Sequence, residues 1–180
     1  MTENKTTVSL PQDVLEIDDR PQTLCNQSDF YVPMREIAER VYRLYASIGE
    51  AESEINIVFM NDEDIQELNK EWRDLDAPTD VLSFPMREGE DPQIARQLPL
   101  GDIAISIPTA MRYVENCHHK ERINENEPAP LTQTWSLIDE LTFLIIHGTL
   151  HCLGYDHAEP EEEKIMRAKE KEWMLKVLEG

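Results

Sequence analysis

The chain is short of positive charge, and that shortage removes several classes of protein at once. Lys and Arg number 17 against 37 Asp and Glu in 180 residues, a formal net charge of −20 at pH 7. Sequence-independent affinity for nucleic-acid phosphates comes from clustered Lys and Arg, so the balance taken alone argues against a generic nucleic-acid binder, and no DNA partner is expected. The same balance opposes an anionic membrane surface as partner. Apolar runs are equally scarce: the longest are four residues, at 57–60 and 143–146, where a membrane span needs ~20. The opening MTENKTTVSLPQ has neither the basic start nor the apolar middle of a secretory signal. Cysteines are few, and Cys25, Cys117 and Cys152 form no CxxC pair, so free thiols in a reducing compartment are expected. With 40% hydrophobic residues and only six glycines the chain is not disordered overall. The expectation is a soluble, cytoplasmic, globular protein.

What is present is periodicity of two kinds. Helical spacing runs through Ile37, Val41, Leu44, Tyr45 and Ile48, ahead of Gly49. Alternation follows over 54–60, placing Ile55, Ile57 and Phe59 on one face of a strand. Asn61 or Asp62 can cap a next helix in which Ile65, Leu68 and Trp72 share a side. A short strand at 81–84, a polar loop at 86–99 and an alternating strand at 100–107 come next. A helix should start near Thr109, an exposed loop should cover 118–130, and 132–152 reads as the most apolar helix. The segment 159–178 is amphipathic, with Ile165, Met166, Trp173, Val177 and Leu178 inward and three glutamates in its first turn, where the helix dipole favours them. The predicted fold class is α/β (α+β), a small mixed sheet of about four strands packed with four to five helices. Residues 1–30 read as a poorly defined extension, one short strand at most. Residues 31–180 read as a single catalytic metallohydrolase domain.

Chemistry concentrates in His147-Gly148-Thr149-Leu150-His151-Cys152-Leu153-Gly154-Tyr155-Asp156-His157. His147 and His151 lie four apart, one turn apart on a single helix face. Gly154 suits the left-handed residue that ends a helix, which lets His157 fold back toward the other two. Three imidazoles with an open fourth position describe a catalytic zinc site holding one ion, at the end of a buried helix. Three of the five histidines in the chain fall within this stretch. His118 and His119 sit in a polar segment and are expected to face solvent. Cys152 should be packed rather than metal-bound, and Asp156 is a candidate to orient His157 or its loop. The spacing is that of H-E-x-x-H-x-x-G-x-x-H proteases, but Gly148 stands where those enzymes carry their basic glutamate. Glycine cannot accept a proton, which turns the expectation from peptide hydrolysis to another metal-assisted hydrolysis.

Two further segments, Leu68-Asn69-Lys70-Glu71-Trp72-Arg73 running into Asp76-Ala77-Pro78-Thr79-Asp80-Val81-Leu82-Ser83-Phe84-Pro85, and Leu100-Gly101-Asp102-Ile103-Ala104-Ile105, complete a pattern. In order and content over about residues 54–158, the chain resembles the YbeY family of bacterial endoribonucleases. The resemblance implies a zinc-dependent hydrolase that cuts single-stranded RNA in rRNA maturation, including 3′ end processing of 16S rRNA, and in ribosome quality control. It implies His147, His151 and His157 as zinc ligands, Arg73 as the catalytic arginine of the cleft, and the ribosome or its proteins as partners. Guanidinium chemistry agrees, because a planar fork binds phosphate oxygens and offsets charge that develops during phosphoryl transfer. The rival role for Arg73 is a surface ion pair with Asp74 or Asp76. The rival functions are a zincin-type protease or amidase, and a ribosome-associated assembly factor whose zinc is structural and closed by Cys152 or Asp156. On so acidic a chain, attraction for RNA is expected from the metal ion, Arg73, Lys70 and Arg87.

Overall fold

The computed structural model describes residues 7–8, 34–50, 53–124 and 134–179. Expectations for the rest of the first thirty residues, for Cys25 and for 125–133 lie outside these. The elements in chain order are β1 (Thr7–Val8), α1 (Met34–Ile48), β2 (Ile55–Met60), α2 (Asp62–Arg73), β3 (Val81–Pro85), α3 (Pro92–Ala95), β4 (Gly101–Ser106), α4 (Ile107–Glu115), α5 (His118–Asn124), α6 (Leu137–Cys152) and α7 (Pro160–Glu179). The strands form one mixed sheet in the order β1-β2-β4-β3. β2 and β4 run parallel, with Ile57 beside Ile103, while β1 and β3 are antiparallel to their neighbours. β3 is therefore an edge, with β4 alone beside it among the described strands.

Strand alternation divides the core into two layers. Ile55, Ile57 and Phe59 of β2 and Ile103 and Ile105 of β4 pack with α1, α6 and α7 on one face. Met60, Leu82 and Ala104 point the other way, onto Ile65 of α2. The sheet is thus covered by helices on both faces, which explains why 143–146 of α6 is buried without interruption. No helix is long and apolar enough to cross a membrane among the described residues.

Local chemistry sets where α6 begins and how close it comes to the sheet. Ser136 caps it, and Ser136 and Asp139 satisfy each other's backbone N–H groups as a capping box. Asp139 also accepts from Arg40 of α1 at 2.8 Å, and Tyr45 and Thr149 share a buried hydroxyl contact at 3.0 Å. Gly148 faces the sheet, where a Cβ would meet Ile103 carbons at 2.9 Å. Ile103 is β-branched and fully buried, so it yields little. Gly148→Ala should therefore lower stability: about 1–3 kcal/mol of overpacking exceeds the ~1 kcal/mol that alanine gains in a helix. A urea unfolding midpoint shifted to lower denaturant would show it. Gly101 meets a tighter limit, since a Cβ there would lie 2.9 Å from Cys152 Sγ and closer still to the Phe84 carbonyl.

Several expectations need correction. The segment 118–124 is a helix rather than loop, and His119 is buried. Its ring stacks on Phe143 at 4.2 Å, and its Nδ1 lies 2.5 Å from Glu140 Oε1, whose other oxygen accepts from Trp135 Nε1 at 2.7 Å. A partner twenty-one positions away (Glu140) makes burial possible, and nothing local announces it. His118 is exposed as expected. The 86–99 loop contains the short α3, capped by Asp91. Trp72 and Ile165, expected inward, are 64% and 54% exposed. The inward stripe of α7 carries Met166, Trp173 and Val177 as expected, joined by Glu170 and Met174.

Candidate metal centre

The end of α6 brings the three histidines together through backbone geometry. The helix closes in a Schellman motif: Tyr155 N–H donates to the Leu150 carbonyl at 3.0 Å, and Gly154 N–H to that of His151 at 2.9 Å. Gly154 takes φ +86°, which the motif requires and which glycine adopts without strain. The chain turns back, and the Asp156 carboxylate accepts from the His157 backbone N–H at 2.8 Å, fixing the loop rather than the ring. One ligand atom from each of His147, His151 and His157 then lies within 4.8 Å of the others. Together the three can hold a metal ion.

The donor set fits such an ion in detail. The Nε2 atoms of His147 and His151 are 3.2 Å apart. Two nitrogens bound tetrahedrally to one zinc at ~2.0–2.1 Å stand about 3.3 Å apart. His147 Nδ1 lies 2.7 Å from Glu170 Oε1. A carboxylate can only accept, so Nδ1 carries the hydrogen and the Nε2 lone pair is turned toward the other two rings. Glu170 is fully buried, and its Oε2 stands at ion-pair distance, 2.6 Å, from Arg122 Nη2, though too poorly aligned to count as a hydrogen bond. His151 is held down at about 4 by burial, and then by its two histidine neighbours, so it is neutral at physiological pH and offers a lone pair.

Cys152 does not join this group. Burial, with help from Asp102, pushes its thiol up to about 12, and its sulfur packs over Gly101. Asp156 is likewise outside the cluster. Glu170 is the residue that the pattern of the sequence concealed. The available signal was a carboxylate four positions after Met166, on an otherwise apolar stripe. Glu170→Gln should keep the fold but lower metal affinity about 10–100-fold. Competition against a chelating dye checks this, with circular dichroism as the control for folding.

The histidines open into a cavity of about 780 Å³, and Arg73 lines its wall together with Asp80 and Ser83. Arg73 is the last residue of α2. Asp74 then adopts φ +57° and its N–H returns to the Asn69 carbonyl, while the buried Asn69 amide holds the Ala77 carbonyl at 2.8 Å. These bonds seat Arg73 at the rim. The rival ion pairs with Asp74 or Asp76 are not seen among the described residues: Asp76 accepts from Lys70 at 2.6 Å and from Gln66 at 2.9 Å, and Asp74 serves as the cap. Arg87 also lines the cavity, but it is bound to the Leu98 carbonyl, Ser53 and Glu50. Lys70 and Arg87 therefore carry less attraction for RNA than expected. Thr79 donates to Asp80 at 3.0 Å, a local contact rather than nucleophile geometry.

The profile of the family described as Endoribonuclease YbeY matches residues 22–178. The chain belongs to the YbeY family. A relative from Syntrophus aciditrophicus, an "Endoribonuclease YbeY", is 39% identical over 148 residues, covering 81% of this chain and 82% of its own. One from Pelotomaculum thermopropionicum is 43% identical over 122 residues, covering 67% and 70%. One from Halalkalibacterium halodurans is 36% identical over 158 residues, covering 84% and 87%. A solution structure from Thermotoga maritima superposes with a TM-score of 0.53 at 24% identity over 81% of each chain, which extends the likeness to the fold. The YbeY match spans every residue that lines the cavity, from Arg73 to His157.

Proposed function

We propose that this chain is a zinc-dependent endoribonuclease that cuts single-stranded RNA in rRNA maturation, including the 3′ end of 16S rRNA, and in ribosome quality control. The observation that carries the reading is the convergence on one cavity of three imidazoles and the exposed Arg73, for which no ion pair is found among the described residues. His147, His151 and His157 would hold one zinc ion, with residues 31–180 forming the catalytic domain. Held there, such an ion would supply Lewis acidity toward a phosphodiester. Glu170 keeps the His147 lone pair aimed, and burial of His151 keeps it unprotonated. Arg73 offers two parallel N–H donors to non-bridging phosphate oxygens, whose charge grows as the P–O bond breaks. An acidic exterior and few uncommitted cations imply weak binding of free RNA, with a ribosomal partner positioning the substrate in the cytoplasm.

A closed structural zinc site needs a fourth protein ligand. The orientation of Cys152 and the backbone bond of Asp156 both weigh against that. A protease reading needs a base at position 148, which is glycine packed against Ile103. The deciding experiment incubates purified protein with a single-stranded RNA. Endonucleolytic cutting that disappears with chelator and returns with stoichiometric zinc supports the reading. Full activity after exhaustive metal removal overturns it.

A further inference from the structure

The three tryptophans of the chain have opposite fates. Trp135 and Trp173 are buried at 4% and 5% exposure, whereas Trp72 is 64% exposed, more than any other large hydrophobic residue described. It precedes Arg73 directly, so its backbone is one residue from the cavity wall. Its ring meets Phe84 edge-on, with centroids 5.6 Å apart and planes at 72°. That contact fixes the indole while leaving its surface in solvent. Phe84 is on the edge strand β3 but faces α2, packing with Ile65 and Leu82, while its neighbours Ser83 and Pro85 line the cavity from the other face. Leu75 and Met86, close in sequence to the two rings, are 57% and 39% exposed. Trp72 and Phe84 thus form a partly exposed aromatic pair on the α2 side of β3, across that edge strand from the cavity-lining Ser83 and Pro85.

We propose that Trp72 is a stacking platform for an unpaired base of the substrate RNA, where the strand leaves the metal cavity across the edge of β3. The proposal rests on the endoribonuclease reading for its ligand. Two physical facts favour a base over another occupant. The chain carries a net charge of −20, and Lys70 and Arg87 are committed to Asp76 and Glu50, so phosphate attraction near the cavity is limited. Stacking on an aromatic face draws on no charge, accepts any base, and requires that the base be unpaired. Trp72 would thereby supply affinity and single-strand selectivity together, next to the arginine that meets the phosphate.

The test measures binding apart from cutting. Wild type, Trp72→Ala and Trp72→Phe are titrated with a short labelled single-stranded RNA and with its duplex, over a range of salt. Indole fluorescence of the wild type is followed at the same time, since Trp72 is the exposed emitter. Stacking predicts quenching by single-stranded RNA, a loss of about 5- to 150-fold in single-strand affinity for Trp72→Ala, and near-normal binding for Trp72→Phe. The salt slope should not change, because no phosphate contact is removed. In cleavage assays KM should rise for Trp72→Ala while kcat holds. Unchanged affinity in Trp72→Ala, or equal loss for duplex and single strand, overturns the proposal and leaves the enzyme reading intact; the surface would then suit a protein partner. Quenching and selective loss in a protein that never cuts RNA would keep the platform and overturn the enzyme reading. Should Trp72→Ala fail to fold, wild-type quenching and the Trp72→Phe titration still decide.

Discussion

Replacing His151 with alanine should reduce bound zinc from about one ion per chain to near none and abolish RNA cleavage. His151 sits between the other two rings, with centroids 4.7 Å from His147 and 5.0 Å from His157. Its loss leaves two imidazoles, one of them on an exposed loop, and opens the coordination sphere to solvent. Several kcal/mol of transition-state stabilisation by the ion disappear with it, ~1,000-fold or more in rate. Removing a half-buried neutral ring should affect folding far less than chemistry. Metal analysis of purified protein alongside cleavage of single-stranded RNA reads both outcomes. Zinc content equal to wild type in the alanine variant would sink the ligand assignment.

The second large effect is expected at Arg73. Arg73→Ala should lower kcat about 100- to 1,000-fold, the range seen when one preorganised donor to developing negative charge is removed. Zinc content and melting temperature should stay at wild-type values, because Arg73 is exposed and no carboxylate among the described residues claims it. Arg73→Lys should recover only part of the rate, since an ammonium cannot reproduce two parallel donors. If Arg73 merely held α2 in place, the lysine variant would be fully active and the alanine variant less stable. Single-turnover cleavage with a thermal melt of each variant separates these cases.

Both predictions concern residues that were legible in the sequence, by two different routes. His147 and His151 are four apart on one helix, and Gly154 marks where that helix must stop, so local backbone rules suffice to bring His157 back. Arg73 was reached through the motif that surrounds it, and its freedom from Asp76 became visible only with Lys70 in place. What stayed hidden depends on partners distant along the chain. Glu170 is twenty-three residues from His147, and its role appears only once α7 lies against α6. His119 sits in a polar stretch, yet Glu140 and Phe143 bury it. Trp72 follows the helical stripe of Ile65 and Leu68, but α2 ends one residue later, over the edge strand β3, where the ring meets Phe84 edge-on and stays largely in solvent. The layers and strands followed from periodicity, whereas 118–124 was misread because helices held by tertiary contacts need little amphipathic signal of their own.

The packing of Gly148 against Ile103 also bears on how far this scaffold can be repurposed. A designer wishing to turn the protein into a peptidase would reinstate glutamate at the position after the first histidine. Here that carboxylate would be driven into the sheet, at 2.9 Å from Ile103 even for its first carbon, and the helix would have to back away. The histidines ride on that helix, so the retreat would misplace the ligands the new base was meant to serve. A glutamate at this position is opposed by a steric contact on the face of α6 that packs against the sheet. New acid–base function would have to be introduced from the opposite cavity wall, at positions such as Asp80 or Ser83, where there is room for it.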